Sequence, residues 1–92
     1  MSWQQSYEEV IKLGVRNKFG LLESYEVSFI IKERSGKEFK VSHQARNDEW
    51  CFVQFPIDFQ TYGKPGKYSW RAVVEGHIVA RGSFYDPNLT KK

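Results

Sequence analysis

The chain has 92 residues, of which 40% are hydrophobic, 16% aromatic and 27% charged. That length holds one domain, which buries only about 60–65% of its unfolded surface. The mixture excludes a disordered tail, and no apolar run approaches the roughly 18–20 residues of a membrane span. Fourteen Lys and Arg against eleven Asp and Glu leave a net charge of +3. Cations and acids alternate along most segments (Lys32, Glu33, Arg34; Arg46, Asp48, Glu49), which describes a solvated mixed surface rather than a dedicated nucleic-acid footprint.

At the N-terminus, Met1 through Glu9 is polar, with no basic leader or apolar stretch of a secretory signal. A cytoplasmic protein is expected, export by another route being the alternative. Ile11, Leu13 and Val15 alternate with Lys12, Gly14 and Arg16, and the spacing predicts a strand over Val10–Asn17. A helical stripe through Tyr7, Val10, Ile11 and Val15 is the competing reading, but Gly14 would cost a helix about 1 kcal/mol. Asn17–Ser24 connects to a second strand, in which Tyr25, Val27, Phe29 and Ile31 alternate with Glu26, Ser28, Ile30 and Lys32. Phe39 and Val41 mark its hairpin partner. A three-residue loop, Arg34-Ser35-Gly36, pairs Ile31 with Phe39 and Phe29 with Val41 and puts glycine at the left-handed position such loops require.

His43–Asp48 is a short polar loop. Glu49–Phe55 is a further strand with Cys51, Val53 and Phe55 on one face and Trp50, Phe52 and Gln54 on the other. Both faces are apolar, so the strand is either central or displays aromatics. A long loop, Pro56–Gly66, follows. Lys67–Val74 and Ile78–Phe84 form a terminal hairpin. A three-residue loop, Val74-Glu75-Gly76, would pair Trp70 with Ala80, Ala72 with Ile78 and Tyr68 with Gly82. Tails are expected at about residues 1–6 and 86–92, flanking a single domain.

Strands this short and apolar need two packed layers. The expected fold is an all-β antiparallel sandwich of six to seven strands with Ile11, Leu13, Val15, Val27, Phe29, Ile31, Val53, Phe55, Trp70 and Ala72 in its core; a small OB-like barrel is the alternative. Leu13-Gly14-Val15-Arg16-Asn17, Gly20 and Tyr25-Glu26-Val27 resemble the opening strands of small immunoglobulin-like, fibronectin-like domains. Gly66-Lys67-Tyr68-Ser69-Trp70 through Gly76 to Gly82-Ser83-Phe84 is similar to their terminal hairpin. The resemblance implies the architecture and a binding role. It carries over no catalytic residue, and the paired cysteines of antibody-type domains are lacking.

Chemistry-bearing motifs are thin. The single Cys51 excludes an internal disulfide, and its core-facing register makes it a small hydrophobe. No nucleophile elbow surrounds a serine. His43 and His77 show no metal-ligand spacing. Asp48-Glu49 and Glu8-Glu9 are sequence neighbours, which point to opposite faces of a strand. Gly63-Lys64-Pro65-Gly66-Lys67 lacks phosphate-loop spacing. No enzyme activity, cofactor or metal is expected.

The aromatics carry more. Trp50 and Phe52, with Phe59 and Tyr62 from the adjoining loop, form a candidate contact patch, the opposing reading being a loop folded over that face as a minor core. Lys67, Arg71 and Arg81 form a small basic patch, Ser69 facing Arg81, which reads as solvated in preference to nucleic-acid binding. The expected function is a non-enzymatic module binding another protein or a second copy through an edge strand or the aromatic patch. Carbohydrate binding and single-stranded nucleic-acid binding are the alternatives, and no membrane partner is expected.

Overall fold

A computed structural model describes residues 2–6, 11–16, 23–59 and 66–86. Seven strands follow one another: β1 (Ser2–Ser6), β2 (Ile11–Arg16), β3 (Ser24–Glu33), β4 (Glu38–Arg46), β5 (Trp50–Phe55), β6 (Gly66–Val74) and β7 (His77–Asp86), with one 3-10 turn at Ile57–Phe59. They form two antiparallel sheets, β1-β2-β5 and β4-β3-β6-β7. The sheets pack as a sandwich and do not close into the barrel held as the alternative.

Period-2 alternation places one row of each strand inside. Leu13, Val15, Val27, Phe29, Ile31, Val53, Phe55, Ala72 and Val74 are fully buried. Every residue of the expected core is there, joined by Tyr25, Ala45, Phe59, Tyr68 and Phe84. Phe55 is the hub, its ring centroid lying 5.0–6.3 Å from those of Tyr68, Phe84, Phe59 and Phe39.

The first hairpin has the expected three-residue loop and register, Ile31 opposite Phe39 and Phe29 opposite Val41. The last hairpin differs. Val74 faces His77 across a two-residue turn, Glu75-Gly76, with φ of 50° and 81°, the doubly left-handed geometry of a type I′ turn. A bulge beyond Ala72/Val73 then adds one residue to β7. Trp70 therefore faces Gly82, Ala72 faces Ala80 and Tyr68 faces Phe84. The bulge absorbs Val79, so Ile78 falls opposite Val73 and is exposed rather than inward. Inward-outward parity beyond the bulge is that of a three-residue loop, reached by another route.

Three further expectations are corrected. Residues 2–6, read as a tail, form β1 and pair with β2 from Ser2–Val15 to Ser6–Ile11. His43–Arg46, read as loop, continues β4 because β3 offers partners as far as Ser24–Arg46; the turn is confined to Asn47–Glu49, with Asp48 at φ 62°. At the C-terminus, β7 runs to Asp86. Val10, the 17–22 connection and the 87–92 tail lie outside the described residues.

Gln4 ties the two sheets together. Trp70 Nε1 donates to Gln4 Oε1 (2.9 Å), and Gln4 Nε2 donates to the Ser83 carbonyl (2.8 Å). Gln4→Leu should strand a partly buried indole N–H and cost about 1–2 kcal/mol. A melting temperature about 5–10 °C lower is expected at this size; melting equal to that of wild type would refute the tie.

Candidate functional site

The outer face of the β1-β2-β5 sheet carries the aromatics. Register places Trp3 opposite Gly14 and Gly14 opposite Phe52, with Arg16 opposite Trp50. Trp50 and Phe52 are 37% and 40% exposed. Their rings stack at 5.6 Å, 10° from parallel, and Trp3 meets Phe52 edge-on at 5.6 Å. Both geometries suit the ring quadrupole. Lys12 Nζ lies 4.5 Å from the Phe52 centroid and 5.7 Å from that of Trp3, within cation–π range.

Gly14 makes this arrangement fit. A β-carbon there would lie 2.4 and 2.5 Å from two Phe52 ring carbons. The missing side chain is the space in which the Phe52 ring crosses β2. At the sheet's end Arg16 Nε donates to Asp48 Oδ1 (3.1 Å) and to the Asp48 carbonyl (3.2 Å), fixing the β5 entry turn beside Trp50.

Of the four aromatics nominated from sequence, Trp50 and Phe52 share this face. Phe59 does not: it is 7% exposed and packs edge-on against Phe55, because the 3-10 turn brings it back under the sandwich, closed by Phe59 N donating to the Pro56 carbonyl (3.1 Å). Tyr62 lies outside the described residues. Trp3 was missed, since five mostly polar residues, Ser2–Ser6, give little strand signal.

The edge of β5 is partly closed. Its Gln54 amide donates to Asp58 Oδ2 (2.7 Å), satisfying a backbone group that an added strand would need. Edge strand β4 carries Glu38, Lys40 and Arg46, and charge of this kind discourages edge pairing.

Lys67, Arg71 and Arg81 lie on the opposite side of the molecule, on the outer face of the four-stranded sheet. Arg71, not Ser69, faces Arg81; Ser69 faces Ser83 and Lys67 faces Tyr85. The bulge in β7 accounts for the shift.

Cys51 is half-buried, and burial pushes its thiol pKa up, which keeps it protonated and a poor nucleophile at neutral pH. His43 and His77 are exposed on different strands. Among the described residues no three His, Cys, Asp or Glu side chains gather as a metal cluster, and no helix is long and apolar enough to cross a membrane. Comparison with protein-family models, curated proteins and solved structures gave no match.

Proposed function

We propose that this chain is a non-enzymatic, immunoglobulin-like binding module, and that the outer face of the three-stranded sheet is where it meets another protein or a second copy of itself. The strand order supports the architecture: first, second and fifth strands in one sheet, the remaining four in the other, joined by hairpins and crossings between sheets. The observation that carries the function is the ordered exposure of Trp50 and Phe52, with half-buried Trp3 packed edge-on beside them. Large aromatics cost solubility when exposed, and clustered they are the residues that anchor interfaces. The satisfied Gln54 amide favours the face over the β5 edge as the contact.

Trp50→Ala tests this. Sedimentation velocity across a concentration series should show wild-type association that the variant loses, while the melting temperature changes by no more than a few degrees. Parallel loss of association and melting temperature would assign Trp50 to structure alone. A wild-type chain that stays monomeric throughout would remove the second copy as occupant.

One observation favours a second reading. The Trp50 and Phe52 rings lie 10° from parallel and are 37% and 40% exposed, and an outer ring face of such a stack is a surface on which a sugar ring can lie. A glycan array with hits abolished by Trp50→Ala would select it.

A further inference from the structure

We propose that the outer face of the four-stranded sheet is a second contact surface, one that takes single-stranded nucleic acid. Strand register gathers there what the sequence scatters. Lys32 on β3, Lys40 and Arg46 on β4, Lys67 and Arg71 on β6, and Arg81 on β7 all occupy outward positions. Only Glu26 and Glu38 oppose them among the outward positions of these strands. This single face thus carries an excess of four positive charges on a chain whose net charge is +3. A basic stripe confined to one face is the electrostatic footprint of a polyanion partner.

The charges are also held where folding alone gives no reason for them. Arg71 and Arg81 are direct cross-strand partners, and like charges directly opposite destabilise a sheet. Glu38 Oε2 accepts from Arg71 Nη1 (3.3 Å) and Glu49 lies 4.0 Å from Arg46. Among the described residues Lys32, Lys40, Lys67 and Arg81 have no ion pair. Glu38 offsets Arg71 from one side only, and an anion bound between the two arginines would engage Arg81 as well.

The surface has shape as well as charge. An open depression of about 630 Å³ is bordered by three cations, Lys32, Arg34 and Lys67, against one acid, Glu33, with Ser69 and Ser83. A smaller hollow of about 220 Å³ is bordered by Arg71, Arg81, Ile78 and again Ser69. The two therefore lie in file along β6 and β7, each offering cations and at least one hydroxyl. Apolar groups stand between the cations. Tyr85 faces Lys67 and is 61% exposed, Ile78 is 48% exposed, and Ile30 separates Lys40 from Arg71 in one row. A sulfated polysaccharide or an acidic peptide uses the cations only. A single strand of nucleic acid uses both, phosphates on the cations and bases on the aromatic and apolar groups.

The experiment is fluorescence anisotropy with a labelled oligothymidylate about twenty nucleotides long, titrated from about 20 to 200 mM salt. Binding should weaken with a log–log slope near −3, about 0.7 for each of some four phosphates engaged. Arg81→Gln should weaken binding about five- to tenfold and reduce the slope by about 0.7. Its melting temperature should be equal to or above that of wild type, since a like-charge pair has gone; a drop would mean that Arg81 serves the fold. Tyr85→Ala should weaken oligothymidylate binding about fivefold or more through lost stacking, yet leave dextran sulfate binding unchanged. Lys12→Gln, on the other sheet, should have no effect. No binding at the lowest salt would overturn the proposal, as would equal loss from Lys12→Gln. Dextran sulfate binding as tight as the oligonucleotide, with Tyr85→Ala silent, would overturn the assignment to nucleic acid.

Discussion

Phe55→Ala is expected to lower the melting temperature by at least about 15 °C. The Phe55 side chain is fully buried and touches aromatic rings from β4, β6, β7 and the 3-10 turn. Removing such a ring costs about 3–5 kcal/mol, the transfer energy plus the cavity that its neighbours cannot close. A domain of this size loses about 4–8 °C for each kcal/mol, and its total stability is only about 5–15 kcal/mol, so the loss takes a large share of the whole. Thermal melting followed by circular dichroism checks it, with Phe52→Ala as the comparison. Phe52 is two residues away but faces outward, and its loss should cost no more than about 1–2 kcal/mol. Equal melting of the two variants would mean that the inward and outward rows are wrongly assigned.

Gly14→Val is expected to dismantle the aromatic face while leaving the sandwich folded. Valine suits a strand, so the backbone has no objection. The objection is steric: the new β-carbon would clash with the Phe52 ring, 2.4 Å from its nearest carbon, and lie 3.3 Å from a Trp50 ring carbon. Phe52 must swing away, giving up its stack with Trp50 and the overlying Lys12 ammonium. Those contacts together are worth about 1–2 kcal/mol at an exposed site. The near-ultraviolet circular dichroism of the tryptophans should therefore change strongly for a modest loss of melting temperature, and association through this face should fall as far as in Trp50→Ala. An unaltered near-ultraviolet spectrum would refute the packing of Phe52 across Gly14.

Strand parity was legible in the sequence because a half-buried strand repeats every two residues. It separated Val53 and Phe55 from Trp50 and Phe52, and the division holds in the structure. Local turn chemistry was legible only where one solution existed. Arg34-Ser35-Gly36 has a single glycine in the one place a three-residue loop needs it. At Glu75-Gly76 two solutions give the same parity, and the choice rests on whether a residue is absorbed in the turn or in a bulge further along, which no local pattern records. Phe59 was misread because its placement depends on a 3-10 turn folding back beneath Phe55. Trp3 was invisible because its strand is stabilised by pairing with β2 and by the Gln4 tie, not by its own composition. The basic face was underestimated for a related reason: its cations come from four strands, each contributing only one or two.

The bulge in β7 has a consequence for how this chain can change. A strand with one face buried is read in twos, and the bulge takes the extra residue, Val79, out of the count. Removing Val79 would leave a straight ladder, with Ile78 still opposite Val73, Ala80 still opposite Ala72 and Phe84 still inside. Adding one residue just after Ala80, with no second bulge to absorb it, would send Phe84 to the solvent and draw Arg81 and Ser83 towards the core. The last strand thus behaves like a reading frame with one spare letter already skipped: it can lose that letter and keep its sense, but a further one rewrites the core and the basic surface at once.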